Sequence, residues 1–277
     1  MAEIRSPGVS RKLICGNWKM NHDHLETIAV LTDLSMRLAT VDLSRVEVVV
    51  HPPFPDLRSA QTVIEDRAMP VRLGAQNCNA EDAGAFTGEV SAPMLARLGV
   101  SHVIVGHSER RRLFGETDAD VAAKIAAVLR SGMTPIVCVG EDSAERDGGL
   151  TGDVLRAQVE GAMKGYAVAA KAAKSGGGEA PPVFAYEPLW AIGTGNAAGP
   201  EDASVARNVI ESEALERRSP AGHAGPEPPV VLYGGSVVPE NAAGFVVGAA
   251  MGGLLVGGAS LAAAKFAAIV SAVAGVV

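Results

Sequence analysis

The sequence predicts an α/β protein folded as a single (β/α)8 barrel, and three observations carry that expectation. Short apolar runs recur eight times, most of them continuous rather than alternating, as parallel strands covered on both faces require. Between the runs lie amphipathic segments with apolar residues at three- and four-residue spacing. No GxGxxG opens the first strand–helix turn, where an open dinucleotide-binding sheet would want it. A chain of 277 residues fits one such barrel, although length alone would also allow two average domains.

The strand candidates, in order, are KLICGNW (12–18), VEVVVHP (46–52), VRLGAQN (71–77), SHVIVGH (101–107), MTPIVCVG (133–140), PVFAYEP (182–188), VVLYGG (230–235) and GLLVGG (253–258). Helix candidates include 24–40, 118–130 and 204–218. Two Gly/Pro-rich stretches, SGGGEAPP (175–182) and SPAGHAGPEPP (219–229), fall just before strands six and seven. In a barrel these are connections on the face away from the strand C-termini. Residues 1–11 read as a loose extension of a domain that spans 1–277.

Composition narrows the function. Hydrophobic residues make up 48% and charged residues 20%, enough for one large core. The net charge of −7 argues against nucleic acid or an anionic membrane as partner. Any anionic substrate must then be met by local donors, because the overall field repels it. The three cysteines, Cys15, Cys78 and Cys138, form no CxxC pair, so neither a disulfide framework nor a zinc site is expected, and a reducing cytoplasm is the simplest home. The N-terminus lacks the apolar core of a signal peptide, and the apolar stretch 242–277 is broken by glycines and Lys265, so no membrane span is expected.

In barrels of this kind functional groups collect at the C-terminal ends of the strands. Those ends offer Asn17 and Lys19 after the first strand, His107 after the fourth, Glu187 after the sixth, Ser236 after the seventh, and Gly257 and Gly258 after the eighth. A carboxylate, an imidazole, an ammonium and exposed backbone N–H groups on one rim suit proton abstraction beside a carbonyl on a phosphorylated substrate. Glu187 stands inside the apolar run FAYEPLWAIGTG (184–195), where a carboxylate is rare unless paired or put to use. Leu189, Trp190 and Ile192 offer a way to desolvate it and raise its pKa. The plainer reading is a buried ion pair. His102, at the other end of the fourth strand, suits a core histidine. His22, His24 and His51 show no metal-ligand set, and HDH (22–24) reads as a solvated helix start.

Six motifs carry a resemblance. GNWKMN (16–21), GAFTGE (84–89), VGHSERR (105–111), AYEPLWAIGTG (185–195), YGGSV (233–237) and LVGGASL (255–261) resemble the triosephosphate isomerase family, in the family's order and over residues 12 to about 261. The resemblance implies the TIM barrel and a cofactor-free interconversion of dihydroxyacetone phosphate and glyceraldehyde 3-phosphate through an enediolate. It implies Glu187 as the base, His107 as a neutral electrophile, Lys19 as the ammonium at the oxyanion, and Asn17 as a further donor. The helix beginning in SERRRLF would help to keep His107 neutral through its N-terminal dipole.

Phosphate would be held by backbone groups of Gly193, Ser236, Gly257 and Gly258. Glu109 would support Lys19 by an ion pair, and Tyr233 with Ser236 would hold a closed lid formed by 188–198. The long connection 77–89, with Phe86 near its tip, would insert into a second subunit, Thr87 reaching Asn17 and Glu109 of the neighbour. An isomerase of a four-carbon sugar phosphate and a non-catalytic phosphosugar binder are the alternatives. The second is disfavoured because Glu187, His107 and Lys19 are all retained.

Overall fold

The computed structural model describes residues 11–172, 181–191, 198–217 and 228–277. Eight strands, β1 (Lys12–Asn17), β2 (Val46–His51), β3 (Val71–Ala75), β4 (His102–Val105), β5 (Thr134–Val139), β6 (Val183–Tyr186), β7 (Val230–Tyr233) and β8 (Gly253–Val256), close into a barrel in sequence order. Every pair is parallel, and β1 meets β8 with Cys15 opposite Leu255. Each of the eight apolar runs in the sequence contains its strand. The expected extension 1–11 lies outside the described residues except for Arg11.

The helices on the outside are α1 (His24–Leu38), α2 (Leu57–Asp66), α3 (Ala92–Arg97), α4 (Ser108–Phe114), α5 (Asp118–Arg130), α6 (Ser143–Asp147), α7 (Thr151–Ala172), α8 (Pro200–Glu216), α9 (Pro239–Ala243) and α10 (Ala263–Ala274). The HDH stretch starts α1 as anticipated. Asp23 accepts from the N–H groups of Leu25 and Glu26, and the Glu26 carboxylate accepts from the Asp23 N–H, satisfying donors that the helix leaves orphaned. Helix α8 begins before residue 204. Pro200 takes the first helical position, where its missing N–H costs nothing, and Asp202 accepts from the Gly199 N–H at 2.9 Å.

The continuous apolar strands are explained by two cores. Leu13, Cys15, Val49, Ile104, Ile136, Cys138 and their neighbours fill the inside of the barrel. Alternate positions, such as Val48, Val50, Val103, Val105 and Val137, face the helices. Because side chains alternate along a strand, the residue after the last strand position points either into the barrel mouth or into the helix layer. That parity decides which strand-end residues reach the site.

One fully buried inward position on β2 is polar. His51 is fully buried, and its ring lies against Gly74 of β3 so closely that a Cβ there would overlap it. His102 of β4 pairs with Gly74 in register, placing two histidines on either side of that glycine. His102 is thus a core histidine, its Nδ1 2.9 Å from the Ser101 hydroxyl. Neither ring nitrogen of His51 has a hydrogen-bond partner. Burial first, and then the neighbouring His102, push its pKa down to about 3; the nearby Gly16 backbone opposes this without completing a hydrogen bond.

The folded state therefore holds His51 neutral while the unfolded chain takes up a proton below its ordinary value of 6.5. Stability from this source is intact above that pH and is lost as pH falls toward the folded value. We expect His51→Leu to lose less stability than the parent between pH 7 and pH 5, by about 2 kcal/mol in urea unfolding. Parallel pH profiles for the two proteins would contradict this.

Candidate active site

The strand ends converge on a cavity of about 610 Å³ lined by Asn17, Lys19, His107, Glu187, Ser236, Gly257 and Gly258, together with Gly234, Gly235, Leu255 and residues 237–240. Seven of the expected residues thus meet in one place. Gly193 lies outside the described residues, as does most of the expected lid. Thr87 stands exposed on the 77–89 connection and is not among the groups lining the cavity. Tyr233 is buried beneath it, stacked on Phe245 with ring centroids 3.7 Å apart, and burial pushes its phenol up to about 12.

Glu187 is only 2% exposed, and both of its oxygens are occupied. Oε1 lies 2.9 Å from His107 Nε2, and Oε2 accepts from the Ser108 N–H at 3.0 Å. The backbone there is equally constrained. Glu187 N–H donates to the Val139 carbonyl at 2.8 Å, and Gly140 packs so tightly on the Glu187 carbonyl that no Cβ would fit. The glycine ending β5 is what lets β6 place its carboxylate.

His107 immediately precedes α4 and caps it. Its Nδ1 accepts from the Glu109 N–H at 3.2 Å. The proton of the neutral ring is therefore on Nε2, directed at Glu187. Burial lowers the affinity of His107 for a second proton, but the Glu187 carboxylate outweighs it and the net direction is upward. That second proton would have to sit on Nδ1, where a backbone N–H already points. The geometry thus favours neutral imidazole, and the helix N-terminus supplies the reason.

The carboxylate shows the converse balance. Burial acts to raise the pKa of Glu187, yet the Nε2–H of His107 and the Ser108 N–H hold it below the ordinary carboxylate value. The sequence led to the opposite expectation, an elevated value from apolar neighbours. The difference arises because Trp190 is turned to another partner and the histidine and a helix N-terminus stand against the carboxylate instead.

Lys19 adopts a left-handed backbone conformation, φ 53°, a costly one for a side-chain-bearing residue. It is held by its surroundings. Lys19 N–H donates to Asn17 Oδ1 at 3.1 Å, and Gln76 Nε2 donates at 2.8 Å to both the Lys19 and the His51 carbonyls. The ammonium pairs with Glu109 Oε1 at 2.7 Å, as the sequence suggested.

Sequence reasoning missed Glu141. Its Oε1 accepts from Tyr186 Oη at 3.0 Å and from Trp190 Nε1 at 2.8 Å, all three groups being buried. The Arg146 guanidinium lies over the Trp190 ring, 3.4 Å from its centroid. The network anchors the residues just beyond Glu187. The available signal was an acidic residue just past the apolar run of strand five. Glu141→Leu removes the buried acceptor that Tyr186 and Trp190 share, and we expect a loss of about 2–4 kcal/mol in urea unfolding. Glu141→Gln, which keeps an acceptor, should lose clearly less.

Known proteins resemble this chain in sequence and fold. A family model described as triosephosphate isomerase matches residues 12–273. The triosephosphate isomerase of Leifsonia xyli is 45% identical over 263 residues, covering 93% of this chain and 95% of that one. That of Streptomyces coelicolor is 44% identical over 258 residues, covering 93% and 96%. A crystal structure of triosephosphate isomerase from Bartonella henselae superposes with a TM-score of 0.77 at 33% identity, covering 95% of this chain and 98% of the other. With a family model spanning nearly the whole barrel and relatives covered over most of their length, the chain belongs to the triosephosphate isomerase family.

Proposed function

We propose that Glu187 is the base and His107 the electrophile of the isomerisation. As a member of its family the chain is an intramolecular aldose–ketose isomerase, interconverting dihydroxyacetone phosphate and D-glyceraldehyde 3-phosphate through an enediolate; the relatives do not favour the four-carbon alternative. Glu187 takes the proton from the carbon beside the carbonyl, whose electron pair moves onto oxygen. His107 gives its Nε2 proton to that oxygen and takes the hydroxyl proton from the adjacent oxygen, and the same carboxylic acid returns its proton to the former carbonyl carbon, leaving the new carbonyl on its neighbour. Lys19 and Asn17 add donors to the developing charge. Glu109 holds Lys19 in place, and the N–H groups of Ser236, Gly257 and Gly258, with Gly193, receive the phosphate.

The observation that carries this reading is the 2.9 Å contact between His107 Nε2 and Glu187 Oε1, with Nδ1 already committed to the α4 backbone. It leaves one donor proton and one basic oxygen at the cavity wall, as this proton transfer requires. Closure of the 188–198 lid, with Tyr233 and Ser236 as its anchors, would exclude water from the enediolate.

A homodimer built through 77–89 belongs to the same proposal. The connection is braced at its base: Asn79 N–H donates to the Val90 carbonyl at 2.8 Å, and Arg130 pairs with Asp82 at 3.0 Å. Yet it presents Phe86 47% exposed. A braced loop holding an aromatic ring in water is better suited to a partner than to solvent. The three cysteines are free and buried, which agrees with a cytoplasmic enzyme of sugar breakdown and synthesis. Among the described residues no helix is long and apolar enough to cross a membrane.

Turnover of glyceraldehyde 3-phosphate beside a four-carbon aldose phosphate tests the substrate, and Glu187→Gln tests the base. We expect the triose to be preferred and the variant to lose about 10²–10⁴-fold in kcat. The same variant removes the charge that raises the His107 pKa. Its imidazole should then titrate at lower pH than in the parent, because burial acts unopposed by Glu187; ring-proton NMR reads this directly, and an unchanged titration contradicts the pairing. Phe86→Asp should shift the sedimentation of the protein from dimer to monomer. An unaltered mass would place the interface elsewhere.

A further inference from the structure

The cavity carries one cation that the reaction above does not use. Lys265 stands in the first turn of α10 and lines the same space as Ser236, Gly257 and Gly258. Residues 262–264 before it are all alanine, so they bring no other charge beside the exposed Lys265 side chain. Among the described residues Lys265 has no ion-pair partner, whereas Lys19 is held by Glu109 at 2.7 Å. The remaining formal charges on the cavity wall, Glu187 and Glu240, are both carboxylates. A dianionic phosphate ester approaching a protein of net charge −7 thus meets two like charges, a lysine already neutralised, and Lys265.

We infer that Lys265 is a phosphate-directing residue, whose ammonium draws the phosphate end of the substrate toward the backbone N–H groups of Ser236, Gly257 and Gly258. The inference rests on the isomerase reading and extends it. Neutral backbone donors order a phosphate but leave its charge uncompensated; a nearby flexible ammonium supplies that compensation as a point charge. One unit charge acting on a dianion at roughly 8 Å in a water-like dielectric favours association by about three- to tenfold. At 0.1 M salt the screening length is about 10 Å, so the advantage shrinks as salt is added. Proton transfer takes place at the other end of the substrate, so the effect belongs to KM and the association rate.

The test compares the parent with Lys265→Gln, Lys265→Arg and, as a control of equal charge change, Lys171→Gln on α7, an exposed residue away from the cavity. Kinetics on glyceraldehyde 3-phosphate at low and high salt are read beside the Kd of glycerol 3-phosphate from calorimetry. Lys265→Gln should raise both KM and Kd about three- to tenfold at low salt, with the loss sparing kcat and fading as salt rises. Lys265→Arg should restore binding, and Lys171→Gln should behave as the parent does. The inference is overturned if Lys265→Gln binds like the parent, if Lys171→Gln loses as much, or if kcat falls while Kd stays constant. Should the parent fail to turn over triose phosphate, the isomerase reading fails, and the Kd measurement still decides the role of Lys265.

Discussion

His107 and Glu187 meet over the end of the strand that lies between theirs, and the site depends on that contact. Strand β5 separates β4 from β6 in the barrel. The two side chains can touch only if the residue just past β5 stays out of the way. Gly140 does so, and it also lets the Glu187 backbone sit directly against it. The glycine therefore has a steric role that is independent of any ligand. An alanine there would have to displace Glu187 or the end of β5, and in a barrel whose neighbouring strands are hydrogen-bonded on both sides such a shift is passed to the adjacent strand.

The supporting contacts run around the rim in the same strand order. Gln76, after β3, reaches the carbonyls of both His51 and Lys19, tying β2 to the loop after β1. Lys19, held in its left-handed conformation, reaches Glu109 on α4. The Glu109 N–H donates to the His107 ring that caps α4, and the Ser108 N–H donates to Glu187. Each polar group is thus positioned by one that is itself satisfied, which is how a strained residue such as Lys19 can be maintained. His51 is the exception inside the barrel. Its carbonyl is used by Gln76, but its ring is not used by anything, and that accounts for the acid sensitivity expected there.

Much of this was legible in the chain because strand ends in a closed parallel barrel map directly onto one rim. The run before Glu187 and the motif around His107 each marked a strand, and the number of residues past its end set the facing. Glu109 was expected as support for Lys19 from the family resemblance of its motif, not from its place past a strand end. Glu141 was not, because its partners Tyr186 and Trp190 come from another strand forty-five and forty-nine residues away, and only the closed β5–β6 pairing brings them together. The direction of the Glu187 pKa was misjudged because sequence shows which residues are adjacent in the chain, not which stand against the carboxylate. The sequence stretch suggested leucine, tryptophan and isoleucine; the fold supplies an imidazole and a backbone N–H.

That reversal bears on how a base of this kind can be stored. A buried carboxylate with no partner costs several kcal/mol and would take up a proton at neutral pH. In this arrangement Glu187 avoids both outcomes by resting on His107 and the Ser108 N–H, where it is ionised but weakly basic. In the proposed reaction the substrate oxygen takes over the Nε2–H of His107. The part of the lowering that came from His107 is then removed, while the Ser108 N–H and the burial that acts to raise the pKa both remain. The same step that positions the electrophile therefore makes the carboxylate a stronger base, and does so only when a carbonyl is present to use it. Basicity is thus coupled to occupancy through a single proton shared between β4 and β6.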